Sequence, residues 1–111
     1  MEGNLAEQIC APCRGDATPL TAAESAPLLA QLNGWEAVAT HHLRKTYSFA
    51  DFRAALNFVN RVGDLADAMD HHPDIEFGWG RAVITIWTHK IDGLSASDFV
   101  LAAKIEMMND E

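Results

Sequence analysis

The sequence predicts an α+β fold: a four-stranded antiparallel sheet with three helices packed on one face, in the order α-β-β-α-β-β-α. Three observations lead there. Two pairs of extended segments, Trp35–Thr40 with Leu43–Phe49 and Ile75–Trp79 with Ala82–His89, lie close enough in sequence to close as hairpins. The stretch between the pairs repeats its apolar residues at steps of three and four, which is the helical period. A single sheet covered on one side by helices then lets every element bury its one apolar face.

The opening segment Met1–Thr18 carries Gly3, Asn4, Pro12, Gly15 and Asp16 with no sustained period, so residues 1–18 read as an irregular arm and 19–111 as one domain. Thr21 and Glu24 stand at capping-box spacing ahead of Leu28, Leu29 and Leu32, which predicts a short helix ending near Asn33 and Gly34. In the second extended segment Leu43, Lys45, Tyr47 and Phe49 alternate with Arg44, Thr46 and Ser48, as a strand with two unlike faces requires. From Ala50 the pattern turns helical, with Phe52, Ala55, Leu56, Val59, Val62, Gly63, Ala66 and Met69 along one face. Phe58 and Leu65 fall off that stripe, seven apart; two extra apolar residues more often simply widen a core stripe, and a second contact face is the alternative. The helix is expected to stop near Asp70, because His71, His72 and Pro73 follow and a residue before proline is driven out of the helical region. The second hairpin turns at Gly80–Arg81. Beyond Asp92–Gly93, Ser95 caps the last helix with Asp98 three residues on, and Phe99, Ala102, Ala103, Ile105 and Met107 form its expected buried side.

A chain of 111 residues holds one compact domain, and 49% apolar with 22% charged residues suits a globular one. The net charge of −8 argues against a nucleic-acid partner, whose phosphates are bound by Lys and Arg. No apolar run approaches the roughly 20 residues of a membrane helix, and no basic-then-apolar leader opens the chain, so a soluble cytoplasmic protein with no membrane partner is expected. Cys10 and Cys13 cannot build a multi-bridge framework. They could be half of a four-thiolate zinc site or a redox couple; a reduced segment that catalysis does not use is the plainer reading.

Three of the five histidines fall in the second half: His71 and His72 after the long helix, and His89 at the end of the last strand. Strand alternation puts His89 with Val83, Thr85 and Trp87, while Ala82, Ile84, Ile86 and Thr88 take the other face. The second set suits helix packing, which leaves His89 on the free face beside Trp87. Asp67 precedes His71 by four residues, about 40° of helical turn, so its carboxylate is expected to orient that imidazole. His71 could also simply close the helix, and Asp98 could simply cap the next one. His41 and His42 read as a solvated structural pair. Three histidines can hold a zinc ion, but adjacent ones point apart and the i, i+4 ligand spacing is missing. No phosphate-binding loop, dinucleotide glycine pattern or nucleophile elbow is present.

Asp67, three residues, His71-His72-Pro73, the aromatic Trp79, nine residues, His89 and a downstream Asp98 together resemble the signature of the pterin-4a-carbinolamine dehydratases. The run Thr88–Asp98 is similar to that family's Thr-His, Gly-Leu-Ser and Asp segment, and the similarity extends from about Leu20 to the last helix. The resemblance implies four antiparallel strands with three helices on one side, and dehydration of a 4a-hydroxytetrahydropterin left by an aromatic amino acid hydroxylase. The chemistry suits these side chains, since loss of water needs one proton given to a hydroxyl and one taken from the neighbouring nitrogen. Histidine, with an unperturbed pKa near 6.5, does either at neutral pH. By resemblance His71 and His89 are the acid and base candidates, His72 is a binding and catalytic partner, Asp67 tunes His71, and Pro73, Trp79 and Asp98 support them. It further implies no metal or organic cofactor, a pterin substrate, a homo-oligomer (dimer or tetramer) and a possible hydroxylase partner. The family also includes dimerisation cofactors of a transcription factor, which leaves a protein-binding module as the alternative.

Overall fold

The structure, a computed structural model, describes residues 18–109. Of the expected arm only Thr18 is included, so Cys10 and Cys13 lie outside the described residues. The elements run α1 (Ala22–Leu29), β1 (Glu36–Val38), β2 (His42–Ser48), α2 (Phe52–Met69), β3 (Asp74–Gly78), β4 (Arg81–Ile86), a single 3-10 turn (His89–Ile91) and α3 (Ala96–Asn109). The four strands form one antiparallel sheet in the order β1-β2-β4-β3. This is the α+β arrangement that the patterning predicts, and no helix among the described residues is long and apolar enough to cross a membrane.

The capping box at α1 forms as the sequence spells it: Thr21 Oγ1 accepts from the Glu24 amide at 3.1 Å, and Glu24 Oε1 accepts from the Thr21 amide at 2.9 Å. The helix closes earlier than expected, at Leu29. Tighter bonds from the Gln31 and Leu32 amides to the Leu28 and Leu29 carbonyls wind the chain out of it while Leu32 stays packed on the core.

In β4, Ala82, Ile84 and Ile86 are fully buried and face the helices, as alternation predicts, joined by Leu43 and Tyr47 of β2. The α2 stripe is rotated from its expected position. Ala55, Phe58, Val62 and Ala66 are its buried residues, and Phe52 is 43% exposed. Phe58, 1% exposed, is therefore core and no second contact face; its ring meets Tyr47 at 4.6 Å and Phe49 at 5.0 Å between centroids. Leu65 is half-buried against the same core. Phe58 turns inward because Tyr47 and Phe49 supply aromatic partners that α2 alone does not reveal.

Helix α3 departs from a one-sided pattern. All five residues from Phe99 to Ala103 are buried and so is Ile105, whereas Met107 is 51% exposed and does not belong to the buried side. The helix touches β2, α1 and α2, so its middle turns have no solvent face. Its N-terminal side is tied to the start of the described chain: the Leu20 amide donates to the Leu94 carbonyl at 2.8 Å. A Cβ on Gly93 would lie 2.6 Å from Pro19 Cβ, so only glycine lets these two segments pass.

Candidate active site

Helix α2 ends at Asp70, whose backbone is left-handed (φ 53°, ψ 41°), and the His71 amide closes back on the Ala66 carbonyl at 3.1 Å. The reversal overturns one expectation. With the helix broken at Asp70 the four-residue offset from Asp67 no longer holds, and Asp67 Oδ1 pairs with His72 Nε2 at 2.9 Å instead of with His71. That pair is open to solvent, its side chains being 58% and 80% exposed.

His71 is swung toward the start of α3. Its Nε2 lies 2.6 Å from Asp98 Oδ1, and the Asp98 side chain is wholly buried. Asp98 Oδ2 accepts from the Ser95 amide at 2.8 Å and from Thr88 Oγ1 at 2.9 Å, with Ser95 Oγ at 3.4 Å. The cap and the histidine partner are thus the two oxygens of one carboxylate. A buried charge so fully bonded retains the hydrogen bonds it gives up in leaving water. A carboxylate only accepts, so the His71 proton facing it sits on Nε2, and Nδ1 is the ring atom left to exchange a proton.

Thr88, 2% exposed, joins Asp98 to the His89 segment. Its amide donates to the Gly93 carbonyl at 2.9 Å, and its hydroxyl lies 2.7 Å from Ser95 Oγ. His89 does not end a strand: β4 stops at Ile86 and His89 opens the 3-10 turn. The Thr88–Gly93 pairing ties the loop's ends together and bends the chain before alternation could continue. His89 still stands beside Trp87, ring centroids 4.3 Å apart, and is exposed.

Pro73 is half-buried between α2 and β3. Trp79 lies in the β3–β4 turn, 74% exposed. Five residues of β3 separate it from the His72 end, about 16 Å of strand, so the fold does not bring Trp79 to the histidines. Thr88 and Ser95 are neighbours of the candidate histidines that sequence reasoning did not single out as site residues, although both lie in the Thr88–Asp98 run that carries the resemblance and Ser95 stands at capping spacing. His41 and His42, expected to be a solvated structural pair, are half-buried and flank Trp87 at 5.5 and 6.1 Å between centroids. Burial, with the neighbouring His41 and Arg44 adding to it against Glu36, holds the His42 pKa below its usual 6.5. Among the described residues no group of three His, Cys, Asp or Glu side chains forms a metal-ion site.

Residues 18–108 match the family model described as pterin 4 alpha carbinolamine dehydratase. A protein of Rubrobacter xylanophilus assigned as a pterin-4-alpha-carbinolamine dehydratase is 59% identical over 104 residues, covering 94% of this chain and 97% of its own. One of Alkaliphilus metalliredigens with the same assignment is 44% identical over 109 residues, covering 97% and 98%. The crystal structure of a Brucella melitensis protein described as a transcriptional coactivator/pterin dehydratase superposes with a TM-score of 0.76 at 27% identity, covering 82% of this chain and 98% of that one. Signature, fold and relatives agree, and the chain belongs to the pterin 4 alpha carbinolamine dehydratase family.

Proposed function

We propose that this protein dehydrates a 4a-hydroxytetrahydropterin to the quinonoid dihydropterin, recycling the pterin of an aromatic amino acid hydroxylase. The observation that carries the reading is the contact between His71 Nε2 and buried Asp98, which leaves Nδ1 as the working atom of an oriented imidazole. In the reaction the C4a–O bond breaks as the N5 lone pair forms the C4a=N5 bond; one proton goes to the departing hydroxyl and one leaves N5. His71 and His89 are the proposed acid and base, in an order we leave open, and His72, oriented by Asp67, is their partner at the substrate. A positioned proton transfer contributes about 10² to 10⁴ in rate. Neither transfer calls for a metal or organic cofactor.

The test is turnover of a carbinolamine generated in situ by a phenylalanine hydroxylase, with a chelator present. Acceleration over the spontaneous reaction is expected; none would overturn the reading, and acceleration abolished by the chelator would point to histidine-bound metal. The description of the Brucella relative favours one alternative, a protein-binding coactivator role with little catalysis. Such a role would survive substitution of His71 and His89 together. We further propose a cytoplasmic homo-oligomer whose arm (residues 1–18) lies outside the catalytic domain.

A further inference from the structure

His41 and His42 stand outside the Asp67–Asp98 signature, yet the turn between β1 and β2 brings them to the aromatic side of His89. His41 Nε2 lies 2.8 Å from Asp92 Oδ1, and Asp92 closes the 3-10 turn that His89 opens. His41 Nδ1 meets His42 Nδ1 at 3.1 Å. Both rings flank Trp87, and Trp87 lies against the His89 ring at 4.3 Å with an interplanar angle of 36°. His89 is therefore braced twice, through Trp87 beneath its ring and through Asp92 at the far end of its turn.

The hydrogen bonds fix tautomers as well as places. The Asp92 carboxylate only accepts, so His41 carries a proton on Nε2. A neutral His41 then accepts at Nδ1, and His42 donates from its own Nδ1. Backbone strain gathers at the same spot. Among the described residues four non-glycine residues have positive φ: Ala39 (54°), Thr40 (55°), Asp70 (53°) and Asp92 (50°). Ala39 and Thr40 make the turn that delivers His41 and His42, and Asp92 ends the His89 turn. Thr40 is β-branched and so poorly suited to that region. Strained backbone persists where surrounding contacts over-determine it, and it concentrates where a geometry is used.

We propose that His41, His42 and Asp92 are positioning residues that hold Trp87 against His89 and so set the orientation of the His89 imidazole. The proposal rests on the reading of His89 as an acid–base group. It is tested in the full-length protein with His41→Ala, with Asp92→Gly, which removes the acceptor and tolerates the positive φ, and with His41→Gln, whose amide can still donate to Asp92. The His89 Cε1–Hε1 NMR signal, assigned by its loss in His89→Ala, reads the position of that ring over the Trp87 indole. His41→Ala and Asp92→Gly are each expected to move this signal and to lower kcat about tenfold, with KM changing less. His41→Gln is expected to restore most of both. An unmoved signal with unchanged kcat in both disruptive variants would overturn the proposal. Should His41→Ala fail to fold, Asp92→Gly decides alone, because the Asp92 side chain is 88% exposed and its change leaves the core untouched. Absence of dehydration by the wild-type protein would refute the functional reading instead, and the NMR signal would still decide whether His41 and Asp92 position His89.

Discussion

Replacing Asp98 with asparagine changes one atom at the centre of the site and almost no volume. Three donors converge on Oδ2: the fixed Ser95 amide, Thr88 Oγ1 and Ser95 Oγ. Among the described residues only His71 faces Oδ1. The asparagine carbonyl will therefore take the Oδ2 position and its NH₂ will face His71 Nε2. That nitrogen must then accept, so the ring proton moves to Nδ1 and the neutral imidazole loses its base at the working atom. The same wrong-tautomer logic costs about 10⁴ in a Ser-His-Asp triad, and a single proton transfer is worth about 10² to 10⁴, so a fall in kcat of at least about 10² is expected. Stability should fall by about 1–3 kcal/mol, the difference between charged and neutral hydrogen bonds at a buried acceptor. Asp98→Ala, which leaves the Ser95 amide and His71 with no acceptor there, should cost about 3–5 kcal/mol out of a total near 5–15. Stopped-flow dehydration gives kcat, urea titration gives stability, and ¹⁵N NMR of the imidazoles reports which nitrogen of His71 is protonated. An Asp98→Asn protein with His71 still protonated on Nε2 and kcat within about twofold of wild type would refute the reasoning.

Three further outcomes are expected. His71→Ala, His72→Ala and His89→Ala should each lower kcat with the fold intact by circular dichroism, and the double variants should lose less than the product of the singles because the groups act as a unit. The lowered His42 pKa means that the unfolded chain binds the proton more readily. The stability linked to His42 is therefore present above pH 6.5 and lost as pH falls through the lowered folded value, so His42→Asn should flatten the acid side of a plot of urea midpoint against pH. Light scattering should return a multiple of the 12.2 kDa chain, since β1 and β3 are sheet edges with unpaired backbone groups; a monomer at micromolar concentration would count against self-association.

Helix α2 was legible because eighteen residues with one apolar side impose a period that few other structures satisfy. Its phase was not, since Phe58 is drawn inward by Tyr47 and Phe49, which are distant in sequence. Helix α3 concealed the extent of its burial for the opposite reason: its middle turns, from Phe99 to Ala103, are enclosed and have no polar face to generate a period. In the candidate site, the candidate histidines and acids could be named from the sequence while their hydrogen-bond partners could not. The Asp67–His71 pairing carried a helical offset across the stop expected near Asp70, and the left-handed backbone of Asp70, which the stop alone does not specify, turns His71 elsewhere. The Asp92–His41 contact spans 51 positions and follows from the fold alone.

The observed pairings divide the site into groups that fix geometry and groups that meet solvent. Asp98 and Thr88 are buried, joined to each other and carried by segments packed against the core, so their positions are as rigid as the core itself. His72 and His89 are exposed and lie where regular elements have ended, and His71, with its side chain 11% exposed, lies between the two sets. On the proposed function, a site so divided would exchange protons at its surface without disturbing the hydrogen bonds that orient it, because His71 is held at Nε2 and its Nδ1 is the atom left to work. The division also makes function separable from stability. Changes at His72 or His89 remove no buried contact, whereas any change at Asp98 disturbs the start of α3 and the orientation of His71 together, since one carboxylate serves both.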